Sequence, residues 1–258
     1  MKKLLLPLVL VLFAANALAK VEELTIRDAT YNKTRRIWVY TPAAYDASKT
    51  NNLLILFDGE SYVNDIPAPA MLDALLARKA IAPTVAVLVD TSDARLGDLA
   101  NHQQFADFVA KELLPWVRAR YRVTSDARGV IAGGYSAGGL AAAYVAFRHP
   151  EAIGNVLSQS GAFWRGNEGA STPGEWLTEQ FAASKKLPIR FSIEVGARET
   201  QRVVNGAVFV EANRRLRDVL RAKGYEVRYV EVPGAQHEPA HWSAAFSDAL
   251  IAVDAPAR

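Results

Sequence analysis

The chain has 258 residues, of which 50% are hydrophobic and 22% charged, with a formal net charge of +3 and no cysteine. This composition is typical of a globular protein with a sizeable core, and it excludes a disordered or fibrous chain. Without cysteine the chain can form no disulfide, no thiol nucleophile and no thiolate metal site.

The first 19 residues have the three parts of a secretory signal peptide. Lys2 and Lys3 give a positive start, residues 4–15 form an apolar run, and Ala17-Leu18-Ala19 offers a cleavage site. The apolar run is shorter than the ~20 residues of a membrane span. We therefore expect cleavage, no stable membrane insertion, and a periplasmic or secreted product. Removing the two lysines lowers the net charge from +3 to +1 (3 − 2 = 1), so no nucleic-acid partner is expected.

Apolar runs of strand length alternate with helical patterns along the rest of the chain. Amphipathic stripes predict helices near residues 105–116, 208–220 and 242–253, and Pro115 should kink or end the first. Continuous apolar strands suit a sheet that is covered on both faces. The sequence therefore predicts one α/β domain over residues 20–258, with a mostly parallel central sheet flanked by helices. The predicted strands are residues 36–40, 53–57, 85–89, 130–132, 156–158, 190–195 and 227–232.

Residues 163–187 depart from this alternation. The segment follows a strand, is rich in glycine near its start, and carries Trp164 and Trp176. A long connection of this kind is often a loop that covers a substrate. An ordinary packed insertion is the alternative.

A Gly-x-Ser-x-Gly pentapeptide, Gly134-Tyr135-Ser136-Ala137-Gly138, lies between a predicted strand and an alanine-rich helix. A turn this sharp needs small residues where backbones approach, and it lifts the serine hydroxyl above the sheet at a helix N-terminus. The pattern predicts Ser136 as the nucleophile of a serine hydrolase. Backbone amides of Ala137 and of the Gly59 loop would form the oxyanion hole. A glycine-rich turn that only packs is the alternative.

A serine nucleophile needs a base, which in this kind of fold follows the last strand, and an acid on an earlier loop. Of the four histidines, His237 lies in that place. His102 lies near a helix start, where a cap or surface role is the simpler explanation. His149 lies at a helix end, where capping of the last carbonyls is simpler, and His241 is close to His237 but secondary. Glu199 follows the strand 190–195 and is predicted to orient the imidazole of His237.

The sequence from His237 to His241 also matches the zinc-peptidase pattern His-Glu-x-x-His. That chemistry requires both histidines on one helix, one turn apart. Pro239 lies between them and disfavours helix before it, unless the helix begins there. No third histidine follows. We therefore predict no metal and no cofactor, with a zinc site as the alternative.

Further motifs occur in order along the chain, and together with the Ser136 pentapeptide they resemble the enterochelin (enterobactin) esterase family over about residues 53–246. The resemblance implies an α/β-hydrolase fold and hydrolysis of carboxylic esters. In siderophore members it implies cleavage of the serine trilactone of a catecholate siderophore, ferric or iron-free. The motifs are Phe57-Asp58-Gly59-Glu60, Arg95-Leu96-Gly97-Asp98-Leu99 with Asn101, Glu112-Leu113-Leu114-Pro115, His149-Pro150-Glu151, Leu157-Ser158-Gln159-Ser160-Gly161 with Trp164, and Gly196-Ala197-Arg198-Glu199.

Two departures from the family leave the substrate open. The chain has Ala235-Gln236-His237-Glu238 where the family often has Gly-Gly-His-Asp. It has Phe163-Trp164-Arg165 where siderophore members tend to carry extra aromatic residues. Feruloyl esters, simple acyl esters or acyl transfer therefore remain alternatives to a siderophore, and a non-catalytic exported binding protein is an alternative from another class.

Charged and aromatic residues on the loops are the candidate contacts for a small anionic aryl ester. Arg95, Arg165 and Arg198 are predicted to bind its anionic groups, and Trp164 and Trp176 to stack on its aryl rings. The alternatives are ordinary ion pairs for the arginines and simple burial for the tryptophans.

Overall fold

The computed structural model describes residues 19–167, 174–203 and 206–254. In this part of the chain eight strands form one sheet in the order β1-β2-β4-β3-β5-β6-β7-β8. The pairs β1–β2 and β2–β4 are antiparallel, and the other five pairs are parallel. The strands are β1 Lys20–Asp28, β2 Lys33–Thr41, β3 Asn52–Phe57, β4 Thr84–Val89, β5 Val130–Tyr135, β6 Asn155–Gln159, β7 Arg190–Gly196 and β8 Glu226–Val232.

Helices cover both faces of the sheet, because the central strands are apolar on both sides. Leu53, Ile55 and Phe57 of β3 face one core layer, and Leu54 and Leu56 face the other. The helices α4 to α8 pack on the first layer, and α1, α2 and α9 on the second. The helices are α1 Gly59–Asn64, α2 Ala68–Ala77, α3 Arg95–Leu99, α4 Gln103–Phe108, α5 Leu114–Arg118, α6 Ala137–Arg148, α7 Trp176–Ala183, α8 Phe209–Ala222 and α9 Pro239–Asp254.

The predicted strands and helices are confirmed, and one strand was missed. The missed strand β1 lies at the sheet edge, where its alternating burial leaves only a weak apolar signal. Pro115 does not end its helix, which continues to Arg118. A π-helical turn at Val109–Leu113 precedes Pro115, and such a turn can accommodate the missing N–H.

The carboxyl ends of the parallel strands lie at one edge of the sheet. Ser136 follows β5, Ser160 follows β6, Glu199 comes shortly after β7, and His237 follows β8. Ligands of open α/β sheets bind in the crevice at this edge, so the fold gathers the candidate residues from four loops. Among the described residues no helix is long and apolar enough to cross a membrane.

Candidate active site

Ser136 lies on a sharp turn between β5 and α6. Its φ of 53° and ψ of −118° are unusual for a residue with a side chain. A Cβ atom on Gly134 would lie 2.6 Å from the carbonyl carbon of Gly138, so only glycine permits this approach. The N–H of Ser136 donates to the carbonyl of Gln159 at 2.8 Å, which ties the turn to β6.

Two helix N-termini adjoin this turn. Ala137 is the first residue of α6 and Gly59 the first of α1, so neither N–H has an acceptor within its own helix. Asp58 takes a left-handed conformation with φ of 61°. Its Oδ2 atom lies 3.1 Å from where a Cβ on Gly138 would be, so the two loops are in contact.

Gly59 is required by packing against β4. A Cβ on Gly59 would lie 2.6 Å from the carbonyl carbon of Leu88 and 2.8 Å from the nitrogen of Val89. The main chain of a buried strand cannot move away cheaply. The absence of a side chain therefore lets α1 begin directly over β4, with its N-terminus beside the Ser136 turn.

His237 and Glu199 lie in contact on neighbouring loops. The Nδ1 atom of His237 is 2.7 Å from Oε2 of Glu199. The other carboxyl oxygen of Glu199 accepts from the N–H of Gly196 at 2.8 Å and from the Ser160 hydroxyl at 2.5 Å. A carboxylate opposite Nδ1 places the ring hydrogen there and leaves Nε2 free to accept a proton.

Aromatic rings hold the imidazole of His237 from two sides. Phe209 lies 4.3 Å away and Trp242 lies edge-on at 4.9 Å, measured between ring centroids. Trp242 also stacks on Tyr135, and its Nε1 donates to the Ser160 hydroxyl at 3.0 Å. The ring of His237 is thus fixed by packing as well as by Glu199, and its side chain stays 32% exposed, which leaves it accessible from the crevice.

The structure separates the two histidines of the zinc-peptidase pattern. Helix α9 begins at Pro239, so His237 lies outside it while His241 lies in its first turn. His241 points to Glu194 of β7 and to the carbonyl of Gln236. Within the described residues, no three potential ligands from His, Asp or Glu come together as a metal site.

The residues predicted to contact the substrate differ in their burial and in their partners. Arg95 is paired with Asp58 through two hydrogen bonds of 2.7 and 2.6 Å. Arg165 places its guanidinium over the ring of Trp164 at 4.7 Å. Trp164 is buried against Phe209.

Arg165 has buried donors with no acceptor. Its Nε and Nη1 atoms are buried without a hydrogen-bond partner among the described residues, as is Nε1 of Trp164. Burial and the nearby positive charge of Arg95 lower the pKa of Arg165. Arg165 as a whole is partly exposed. Because buried donors without an acceptor are costly, an anionic ligand group that bonds to them would be favoured at this position.

Arg198 is exposed and has no ion pair within the described part of the chain. It lines a cavity of about 260 Å³ together with Gln201, Val203 and His237. The predicted covering segment, residues 163–187, includes residues 168–173, which lie outside the described residues. In its described part Phe163, Trp164 and Gly166 are buried, and helix α7 follows from Trp176.

The remaining histidines lie away from this crevice. His102 precedes α4 and makes no side-chain capping bond. His149 directly follows α6, where we expect it to cap the last carbonyls. Its ring nitrogens lie instead 2.9 Å from Asp107 and 3.2 Å from Glu151. Two carboxylates in reach outcompete a carbonyl because charged acceptors bind more strongly.

A mostly parallel sheet covered on both faces, with a serine on a strained strand-to-helix turn, defines the α/β-hydrolase class of fold. The enterobactin esterase of Shigella flexneri, solved in the presence of enterobactin, has a TM-score of 0.79 and 28% identity, covering 91% of this chain and 58% of that one. A ferulic acid esterase has a TM-score of 0.76 at 16% identity, covering 93% of this chain and 99% of that one. The second likeness shows the fold alone.

Residues 29–253 match the family model described as "Putative esterase", and the chain belongs to this esterase family. The iron(III) enterobactin esterase of Escherichia coli K12 is 30% identical over 233 residues, which are 89% of this chain and 56% of that protein. The corresponding enzyme of Dickeya dadantii is 29% identical over 242 residues, 89% of this chain and 54% of that protein. The predicted fold class and family resemblance are thus confirmed, and the chain spans about half the length of these curated relatives.

Proposed function

We propose that this protein is a serine esterase that cleaves carboxylic esters with Ser136 as nucleophile. The observation that carries the proposal is the contact of 2.7 Å between His237 Nδ1 and the buried carboxylate of Glu199, on loops at the same sheet edge as the Ser136 turn. A serine, an acid and a histidine in this chain order are typical of the α/β-hydrolase fold. Membership in an esterase family supports the same chemistry.

In this proposal the hydroxyl oxygen of Ser136 attacks the ester carbonyl while Nε2 of His237 takes its proton. The negative oxygen of the tetrahedral intermediate accepts hydrogen bonds from the amides of Ala137 and Gly59. The C–O bond to the alcohol then breaks, and His237 returns the proton to the departing oxygen. Water repeats the sequence on the acyl-enzyme and releases the acid. Glu199 keeps the imidazole in the required tautomer.

For the substrate we propose the trilactone of a catecholate siderophore. Relatives from Escherichia coli and Dickeya dadantii are named iron(III) enterobactin esterases. Arg165 and Trp164 have buried donors without an acceptor among the described residues, and these donors support an anionic aryl ligand. No cofactor, metal or nucleic acid enters this proposal.

The test is chromatographic. Purified protein is incubated with iron-free enterobactin and, separately, with the ferric complex, beside a Ser136→Ala control. Linear trimer, dimer or monomer from the wild type alone would support the proposal. Intact trilactone with turnover of feruloyl or simple acyl esters would move the substrate elsewhere. Tight binding that Ser136→Ala leaves unchanged, with no ester turned over, would favour a binding protein instead.

The role of Arg165 has its own test. Arg165→Gln keeps a polar side chain and removes the charge, so kcat/KM for a carboxylate-bearing aryl ester should fall about tenfold or more. A neutral ester of the same leaving group should change by less than about twofold. Arg221→Gln, an exposed arginine of α8, is the charge-matched control. Equal losses on both esters would refute an anion-binding role.

We further propose that residues 1–19 are removed on export, that residues 20–258 form one esterase domain, and that the product is periplasmic or secreted. The signal-peptide pattern supports this proposal. Expression of the full chain in a Gram-negative host, followed by intact-mass analysis of the periplasmic fraction, should give a chain that begins at Lys20. A chain retained in the cytoplasm with Met1 would contradict it.

A further inference from the structure

A buried polar pair lies beneath the loop that carries His237. Nε2 of His241 is 2.6 Å from Oε2 of Glu194, and both side chains are 1% exposed. The other carboxyl oxygen of Glu194 accepts from Nε2 of Gln159 at 2.9 Å. The amide oxygen of Gln159 in turn accepts from the hydroxyl of Tyr62 at 2.8 Å. The pair is therefore anchored to β6, to β7 and to α1.

The second ring nitrogen of His241 holds the main chain next to the proposed base. Nδ1 of His241 is 3.0 Å from the carbonyl oxygen of Gln236, the residue before His237. A carbonyl only accepts, so Nδ1 carries a hydrogen. Nε2 faces a carboxyl oxygen of Glu194, and a proton on this nitrogen makes the two groups an ion pair.

The surrounding charges favour retention of this proton. Burial acts to lower the pKa of His241, but the facing carboxylate of Glu194 raises it above the usual histidine value. Burial raises the pKa of Glu194. Among the described residues Glu199 is a second carboxylate near the ring, with Oε1 at 3.9 Å from Nδ1. A raised pKa favours the ring that carries a hydrogen on both nitrogens, which is the form that donates to the Gln236 carbonyl and pairs with Glu194.

We propose that His241 is a positioning residue for the esterase reaction, which fixes the Gln236 carbonyl and hence the backbone of His237 against Glu194 of β7. This inference rests on the proposed role of His237 as base. Strand β7 also leads into the loop of Glu199, so the same anchor sets the spacing between base and acid. The second histidine of the His-Glu-x-x-His pattern thereby has a role that involves no metal.

The test compares three substitutions of one residue. His241→Leu removes both ring contacts. His241→Asn places an amide donor near the position of Nδ1, toward the Gln236 carbonyl, whereas His241→Gln reaches toward Glu194 instead. His149→Leu is the matched control, because His149 is also a buried histidine with carboxylate partners but lies at the end of α6.

We expect His241→Leu to lower kcat about tenfold or more on a simple aryl ester, with KM within about twofold, because a small misplacement of a catalytic group is costly. His241→Asn should recover most of the lost rate and His241→Gln little of it. The rate of Ser136 labelling by a fluorophosphonate should fall in the same order. His149→Leu should leave kcat and labelling near the wild-type values.

Equal kcat for all folded variants, or equal losses in His241→Leu and His149→Leu, would overturn the positioning role. Recovery by Gln instead of Asn would also overturn it. If His241→Leu does not fold, the comparison of Asn with Gln decides alone. Wild-type protein that neither hydrolyses an ester nor reacts with the probe would instead refute the proposed function, so the two failures are distinguishable.

Discussion

The indole ring of Trp242 stacks on the ring of Tyr135, with centroids 4.2 Å apart and planes 12° apart. Tyr135 directly precedes Ser136, and Trp242 contacts His237 edge-on. Such aromatic pairs contribute about 0.5–1.5 kcal/mol beyond the area they bury. The stack thus joins the turn of the proposed nucleophile to the helix that follows the proposed base, across more than 100 residues of chain.

Replacing Trp242 with phenylalanine should lower kcat about two- to tenfold. The variant keeps a ring against Tyr135 but removes the N–H that donates to Ser160, whose hydroxyl contacts Glu199. A net hydrogen bond is worth about 0.5–1.5 kcal/mol, which sets that range. Steady-state hydrolysis of an aryl ester measures it, with Trp38→Phe in β2 as control. An unchanged kcat in Trp242→Phe would contradict the prediction.

Glu199→Gln should lower kcat by about 10²- to 10⁴-fold with little change in KM. The amide can present an N–H to Nδ1 of His237, which favours the tautomer that cannot accept the serine proton. Circular dichroism checks that the fold is retained, and Glu211→Gln on the surface of α8 is the control. A loss of less than about tenfold would mean that Glu199 does not orient the base.

Gly59→Ala should destabilise the protein by about 1–3 kcal/mol, because its Cβ would lie 2.6 Å from the main chain of β4. Gly97 in α3 offers a matched control, since its Cβ would meet only the Cβ of Ala94 at 3.8 Å. Gly97→Ala should be neutral or stabilise by up to ~1 kcal/mol. Urea denaturation of both variants measures the difference, and equal midpoints would contradict the packing argument.

The Glu194–His241 pair should make stability fall as pH rises. Both folded-state pKa values are raised above their usual 4.5 and 6.5. The folded protein therefore binds more protons than the unfolded chain. Stability begins to fall as pH rises above the ordinary pKa of glutamate, and it continues to fall until pH passes the raised pKa of His241. The double variant Glu194→Leu with His241→Leu should flatten this dependence. Urea midpoints at pH 5.5, 7 and 8.5 test it, and parallel pH slopes for the two proteins would refute it.

Much of the site's layout could be predicted because parallel topology turns sequence order into spatial proximity. A loop after each strand must lie at the same sheet edge, so Glu199 after β7 and His237 after β8 were expected to meet. The pentapeptide around Ser136 adds a local signal, since its glycines are needed where main chains approach. Both kinds of signal are carried by residues close to the strand ends.

Other features could not be predicted because they depend on pairing between distant elements. His241 and Glu194 are 47 positions apart (241 − 194 = 47), and nothing in either local sequence indicates their contact. The pairing of Arg95 with Asp58 likewise depends on how α3 lies beside the turn after β3. The π-helical turn before Pro115 is a third case, since proline alone indicates a break.

The most direct measurement is covalent labelling of the folded protein with a fluorophosphonate, followed by peptide mass spectrometry. We predict one adduct, on Ser136, with second-order kinetics that slow sharply in Glu199→Gln and vanish in Ser136→Ala. An adduct on another residue, or none in folded wild-type protein, would contradict the claim that Ser136 is the nucleophile.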